Sequence, residues 1–149
     1  MKLIRSWHRI GIKKKKLNMN SIRDKRVFIV DDNTYWREIL SQMLQEIGLN
    51  HIHTFENGTD CILNLHLNPG IVFLDYQMEG VNGLKVLQEI KAYYPGIGVV
   101  FCTGNEDLGV ALDAIKLGSQ DYLLKENCTK KELLAILKRL VKAESQLVK

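Results

Sequence analysis

The sequence predicts an α/β fold in which a five-stranded parallel sheet carries helices on both faces. Short apolar runs rich in β-branched and aromatic residues alternate with helical patterns, and a polar residue closes each run. Uninterrupted apolar runs are typical of strands buried on both faces, and their alternation with helices is typical of parallel βαβ units. Ligands of such sheets bind at the carboxyl ends of the strands, so the closing polar residues are the candidate site.

Five strands and five helices are expected in alternation. The predicted strands are residues 27–30, 50–55, 71–75, 99–103 and 121–124. The first helix is indicated by apolar residues three or four positions apart from Trp36 to Ile47, and Gly48 supplies its end. The other helices are expected at residues 57–67, 83–93, 106–117 and from 129 to beyond 141.

Charge divides the chain into two parts. Residues 1–26 contain ten Lys or Arg and one Asp, a formal charge of +9, whereas residues 27–149 carry −5. Residues 1–24 show no core-forming pattern, and Lys13–Lys16 form a block of like charge that is typical of solvated, disordered segments. We therefore expect a basic, disordered extension at residues 1–24 and one globular domain at residues 25–149.

The extension leaves three interpretations open. Its apolar residues Leu3, Ile4, Trp7 and Ile10 fall at helical spacing beside basic residues, which suits an amphipathic helix on an anionic membrane or an arm that binds polyanions. The favoured interpretation is an extension without function, at most in weak contact with anionic surfaces, and Met19 is a candidate translation start.

Composition favours a cytoplasmic location. No apolar run approaches the ~20 residues of a membrane span, and the N-terminus lacks the apolar centre of a secretory signal. Cys61, Cys102 and Cys128 are odd in number and lack metal-ligand spacing, so they are expected to be reduced thiols.

The strand ends bring acidic and basic groups to one edge of the sheet. Asp31 and Asp32 follow the first strand, Asp75 ends the third, Thr103 ends the fourth, and Lys125 follows the fifth. Three neighbouring carboxylates repel one another unless positive charge joins them. A divalent cation and Lys125 would supply that charge, and both suit a phosphoryl group.

This ordered set resembles the CheY-like receiver domains of bacterial two-component response regulators. The resemblance covers roughly residues 25–142, and the set is specific as a whole although each motif alone is weak. It implies the strand order 2-1-3-4-5. It also implies that Asp75 is the phosphoacceptor, since a carboxylate can attack an activated phosphoryl donor to give an acyl phosphate.

The resemblance further implies a magnesium site. Mg²⁺ prefers oxygen ligands and keeps several waters. By the family match Asp32 is a direct ligand, Asp31 acts more through water, and Asp75 and the backbone carbonyl of Gln77 complete the shell. Both acids of the pair could also cap the helix that follows.

The remaining matched residues concern the response to phosphorylation. Thr103 is expected to donate a hydrogen bond to one phosphoryl oxygen, and Lys125 to pair with another. Tyr122 matches an aromatic switch position whose ring swings inward as the threonine moves. An ordinary strand tyrosine with one solvated end is the alternative.

Two positions depart from the family pattern. Glu126 stands where the family often has a proline preceded by a cis peptide, and a cis bond before a non-proline residue costs about 2.5–4 kcal/mol. The bond is therefore either trans or strained, and the placement of Lys125 depends on which. Met78-Glu79 replaces the frequent Met-Pro, whereas Gly83 matches a small residue of the family.

These features predict a stand-alone response regulator that signals through protein–protein contact. A histidine kinase or phosphotransfer protein is the expected donor, a downstream protein the expected target, and no DNA-binding domain is expected to follow. The alternative is an interaction module with the same fold that works without phosphorylation. An aspartyl phosphatase is disfavoured because Gln77 stands where such enzymes need a second acid–base Asp. The only chemistry expected is gain and loss of the chain's own phosphoryl group, so the protein is not expected to be an enzyme.

Overall fold

The centre of the protein is a five-stranded parallel sheet. It is seen in a computed structural model that describes residues 19–104 and 108–147. The strands are β1 (Val27–Val30), β2 (Ile52–Phe55), β3 (Ile71–Asp75), β4 (Gly98–Thr103) and β5 (Asp121–Leu124). All neighbouring pairs are parallel and the order is β2-β1-β3-β4-β5, so the predicted fold class and strand order are confirmed.

Six helices accompany the sheet in the part of the chain that the structure describes. They are α1 (Asn20–Arg23), α2 (Thr34–Ile47), α3 (Gly58–Leu63), α4 (Gly83–Tyr93), α5 (Leu108–Lys116) and α6 (Lys130–Leu147). Short 3-10 turns follow α3 at Leu65–Leu67 and β5 at Lys125–Asn127. Among the described helices, none combines the length and the apolar character needed to cross a bilayer.

Asparagine side chains define where three helices begin. Asn33, Asn57 and Asn82 each precede a helix and accept a hydrogen bond from the backbone N–H three residues later, at 3.1, 2.8 and 3.0 Å. Such caps satisfy donors that have no partner within the helix. Helix α2 ends at Gly48, whose φ of +114° lies in the left-handed region that glycine adopts without strain.

Two apolar cores lie on opposite faces of the sheet. Successive β1 side chains alternate between them, with Ile29 in one core and Phe28 in the other. The first core is closed by α1, α2 and α6, and the second by α3, α4 and α5. The central strands β1 and β3 are buried throughout, whereas the edge strand β2 is not. Helices on both faces are thus confirmed.

The structure corrects several predicted bounds. The helix expected at residues 57–67 ends at Leu63, because the Asn64 side chain donates to the Asp60 carbonyl at 2.7 Å and the chain continues as a 3-10 turn. The second strand begins at Ile52 rather than at residue 50. The helix expected at 106–117 spans Leu108–Lys116, and the start assigned to it lies outside the described residues.

The start of the domain also differs from the prediction. Helix α1 lies inside the segment assigned to the extension, and its Ile22 is 1% exposed within the first core. Met19 packs against the same core. Burial of one isoleucine stabilises a fold by about 1.5–3 kcal/mol, so α1 contributes to the domain. The predicted boundary after residue 24 therefore lies too far along the chain. The rest of the expected extension, residues 1–18, lies outside the described residues.

Truncation tests this boundary. A chain that begins at Met19 should unfold at the same denaturant concentration as the full chain, whereas one that begins at Lys25 should lose about 2 kcal/mol because Ile22 no longer fills the first core. Urea unfolding followed by circular dichroism measures both. Equal stability of the two shortened chains would show that α1 adds nothing to the fold.

Candidate functional site

The predicted site residues do meet at one edge of the sheet. Asp31 follows β1 directly, Asp75 is the last residue of β3, Thr103 is the last of β4, and Lys125 follows the last residue of β5. Because the strands are parallel, all four of these ends lie on the same side. The ladder between β4 and β5 ends at the pair Thr103 and Leu124, so Lys125 is the first residue beyond it.

The three carboxylates form one cluster. Asp31, Asp32 and Asp75 each offer an oxygen, and these oxygens lie within 4.8 Å of one another. Asp31 and Asp75 are only 1% and 4% exposed, whereas Asp32 faces solvent. The cluster therefore has a buried pair of acids and one acid at its mouth.

Lys125 neutralises part of this charge. Its Nζ lies 2.5 Å from Asp31 Oδ2 and 3.1 Å from Asp75 Oδ1. Burial lowers the pKa of Lys125, but its bond to Asp31 and the charge of Asp75 outweigh that effect and leave the pKa above its usual value. No cis peptide occurs among the described residues, so the Lys125–Glu126 bond is trans and the lysine still reaches the site.

Asp75 is an unusually basic carboxylate. Burial is the main reason that its pKa rises from 3.8 to about 6, and the negative charge of Asp31 adds to the shift. Lys125 opposes the shift without cancelling it. Asp75 is thus ionised at neutral pH and holds charge in a place where charge is costly.

The donor set fits a magnesium ion. Asp31 Oδ1 accepts the Asn33 N–H at 2.8 Å. Oδ2 of the same carboxylate is buried and, apart from its ion pair with Lys125, has no regular hydrogen bond within the described structure. An open depression beside the cluster is lined by Asp32 and by residues of the loop after β3, including Gln77. A hard cation would provide the partner that these oxygens lack. The assignment of Asp31, Asp32 and the Gln77 carbonyl as individual ligands stays a prediction.

Thr103 and Tyr122, the predicted switch residues, lie on the neighbouring strands β4 and β5. Thr103 is 4% exposed at the end of β4. Tyr122 is partly buried against the second core, and its backbone N–H donates to Asp121 Oδ1 at 2.8 Å. Their movement on phosphorylation stays a prediction.

Gly83 allows the loop after Asp75 to fold back on the strand. Its N–H donates to the Tyr76 carbonyl at 3.0 Å, and a Cβ at Gly83 would overlap the Asp75 carbonyl oxygen far inside van der Waals contact. Backbone atoms cannot move aside as a flexible side chain can, so only glycine fits without displacing the end of β3.

We therefore expect Gly83→Ala to destabilise the protein by about 1–3 kcal/mol, the usual cost of overpacking a buried position. Chemical denaturation measures this loss. The matched control is Gly96→Ala, because a Cβ at Gly96 meets nothing within 4 Å. Equal stabilities of the two variants would show that the loop adjusts freely.

Sequence reasoning missed Arg37. This side chain is buried, donates to the Asp31 carbonyl at 2.5 Å and to Thr34 Oγ1 at 3.1 Å, and pairs with Glu56 at 3.6 Å. Arg37 thereby holds the backbone of Asp31 in place. The sequence did contain an indication of this role. A cation in the first turn of a helix interacts unfavourably with the helix dipole, so a basic residue at that position is expected to have a partner.

The helical pattern places Trp36 only on the apolar face of its helix. The residue does pack against the first core. In addition, the Lys125 ammonium lies 5.5 Å from the centroid of the indole ring, a distance typical of cation–π contacts. The sequence carried no sign of this pair, because the two residues belong to distant elements.

Comparison with known proteins agrees with this geometry. The family model described as the response regulator receiver domain matches residues 27–138. The transcriptional regulator NtrC of Salmonella typhimurium is 36% identical over 100 residues, which cover 66% of this chain and 21% of NtrC. The chemotaxis protein CheY of Listeria monocytogenes is 30% identical over 101 residues, which cover 67% of this chain and 85% of CheY. The chain thus spans about a fifth of NtrC but most of CheY.

Solved structures show the same fold. The NtrX receiver domain of Brucella abortus has a TM-score of 0.72 at 25% identity and covers 78% of this chain and 98% of its own. The DrrB receiver domain, described as BeF₃-activated, has a TM-score of 0.70 at 27% identity, with coverages of 79% and 97%. DrrB is a protein of Thermotoga maritima.

Proposed function

Because the chain belongs to the response regulator receiver domain family, we propose that it is a signalling module switched by phosphorylation of Asp75. One observation carries the proposal. The buried Asp75 carboxylate, with its pKa raised to about 6, lies at the sheet edge beside two further acids and within 3.1 Å of the Lys125 ammonium. A module that kept only the fold would not need this cluster of buried charges, which destabilises the folded state.

Asp75 acts as the nucleophile. One of its carboxylate oxygens attacks the phosphorus of a phosphohistidine on a histidine kinase or phosphotransfer protein. The new P–O bond forms as the P–N bond breaks, and the electron pair of that bond remains on the imidazole nitrogen. Its raised pKa makes Asp75 more basic than a surface aspartate while leaving it ionised at neutral pH.

Lys125 and the acid pair prepare the charge balance. Lys125 is within reach of Asp75 and supplies one positive charge for an added phosphoryl oxygen. Asp32, Asp31, Asp75 and the Gln77 carbonyl would hold Mg²⁺, which neutralises phosphoryl oxygens when bound. Arg37 fixes the backbone of Asp31 and thereby the position of the acid pair.

The response is carried by the ends of β4 and β5. Thr103 would donate its hydroxyl to a phosphoryl oxygen, and Tyr122 would move inward as Thr103 shifts. The altered surface would then bind a downstream protein, with no catalytic turnover by the chain itself. NtrC is described as DNA-binding and CheY as a chemotaxis protein, so relatives of this domain serve different outputs. A cytoplasmic setting is part of the proposal and agrees with the three free cysteines.

Acetyl phosphate tests the proposal directly. The protein incubated with acetyl phosphate and Mg²⁺ should gain the mass of one phosphoryl group, and a chelator should prevent the gain. Mild base should remove the group, as expected of an acyl phosphate. The opposite outcome is a protein that stays unlabelled and whose melting temperature does not change with Mg²⁺ or beryllofluoride. That outcome would indicate an interaction module that works without phosphorylation.

A further inference from the structure

We propose that Trp36 is a positioning residue for Lys125, holding the ammonium of the lysine at the phosphoacceptor site through the face of its indole ring. The inference rests on the proposed function, because it concerns how the chain readies its cation for a phosphoryl group. The carrying observation is the 5.5 Å distance between Lys125 Nζ and the Trp36 ring centroid.

Lys125 needs such a restraint. The β4–β5 ladder ends at Leu124, so the backbone of Lys125 is already outside the sheet and begins a 3-10 turn. Its side chain has a long flexible stem and stays 19% exposed, which leaves a route by which the ammonium could turn into solvent. Ordering that stem costs conformational entropy unless neighbouring groups offset it.

Trp36 is well placed to provide this restraint on Lys125. Its backbone N–H is capped by Asn33, and its ring is partly buried against the first core, so the ring itself is held in place. Helices α2 and α6 contact each other on this face, and an ion pair between Glu46 and Lys130 joins them close to where the Lys125 turn ends. The ring therefore belongs to a helix that packs against the helix following the Lys125 turn.

The ring also differs from the other partners of the ammonium. Asp31 and Asp75 are the residues that a cation and a phosphoryl group would engage, and engagement would draw their oxygens away from Lys125. The indole face does not compete for those groups. Among the contacts of Lys125 that the structure describes, this is the one whose partner is neither a predicted metal ligand nor the predicted phosphoacceptor.

The test compares beryllofluoride affinity, measured by calorimetry with Mg²⁺ present, in wild type and variants. Trp36→Leu should weaken beryllofluoride binding by roughly three- to thirty-fold, the span of partly desolvated cation–π contacts. Trp36→Phe, which keeps an aromatic face, should recover most of the loss. The affinity for Mg²⁺ alone should change less than about twofold, because Trp36 is not a predicted ligand and its ring contact is with Lys125.

Two controls separate positioning from packing. Tyr35→Leu alters the neighbouring aromatic, which is 72% exposed, and should leave beryllofluoride affinity unchanged. In a Lys125→Ala background, Trp36→Leu should have no further effect on that affinity. Equal weakening by Trp36→Leu with and without Lys125, or a Trp36→Phe variant as weak as Trp36→Leu, would overturn the assignment.

The outcomes also separate this inference from the proposed function. Failure of the wild-type protein to bind beryllofluoride would remove the proposed function itself. Normal binding by wild type together with wild-type affinity in Trp36→Leu would remove only the role of Trp36.

Discussion

Asp75→Asn should abolish phosphorylation completely. Asparagine keeps the size of the side chain, but its amide oxygen is far less nucleophilic than a carboxylate and cannot form the acyl phosphate. Intact mass measured after incubation with acetyl phosphate and Mg²⁺ should show the unmodified chain only. The effect should be all-or-none because the proposal gives the role of nucleophile to Asp75 alone, at the end of β3 and within reach of Lys125.

The matched control is Asp113→Asn on the exposed face of α5, which should be labelled like wild type. Labelling of Asp75→Asn at the wild-type level would move the phosphoacceptor to another residue, with Asp31 and Asp32 as the next candidates. Asp32→Asn should instead retain weak labelling that demands more Mg²⁺, since it keeps the nucleophile and removes one predicted ligand.

The same substitution of Asp75 should stabilise the protein at neutral pH when no metal is present. The pKa of Asp75 is raised from 3.8 unfolded to about 6 folded, so the folded state binds the proton more tightly. The stability contributed by this group is fully present below pH 3.8 and is lost as pH rises through 6. At about 1.4 kcal/mol per pKa unit, the ionised form costs about 2–3 kcal/mol near pH 7.5, and Asp75→Asn removes that cost.

Urea unfolding in a chelator, carried out near pH 7.5 and near pH 4.5, measures this difference. The free energy of unfolding of Asp75→Asn should exceed that of wild type at the higher pH. The difference between the two should be smaller at the lower pH. Mg²⁺ should stabilise wild type by mass action and stabilise the variant less. A gap that is constant across pH would point to packing rather than to the charge of Asp75, and a destabilised variant would show that the pair with Lys125 outweighs burial.

Much of the fold is readable from local patterns. The apolar runs identify four of the five strands, β1, β3, β4 and β5, and the polar residues at the ends of those runs identify Asp31, Asp75, Thr103 and Lys125. This works because the pattern of a buried parallel strand is written within the strand itself, and because parallel strands must bring their carboxyl ends to one edge. The resemblance to receiver domains, which the family match confirms, rests on that ordered set.

Other expectations fail where contacts that the apolar pattern does not encode decide the outcome. Ile22 lies in a basic segment without a core-forming pattern, yet it is buried because it packs with the helices of the first core. Asn64 breaks α3 through its own side chain, an effect too local for a helical pattern to reveal. In both cases the sequence allows several local conformations, and the contacts made in the folded protein select one of them.

The sequence by itself determined the strands, their polar ends and the family, since these depend on residues close together in the chain. Only the tertiary structure decided that Asp31 is buried while Asp32 is exposed, that Lys125 reaches both acids across a trans peptide, and that Arg37 and Trp36 support them. The contacts of Lys125 join elements far apart in sequence, and that of Arg37 depends on how its helix packs beside β1. Their free energies depend on burial and distance, and both quantities exist only once the chain has folded.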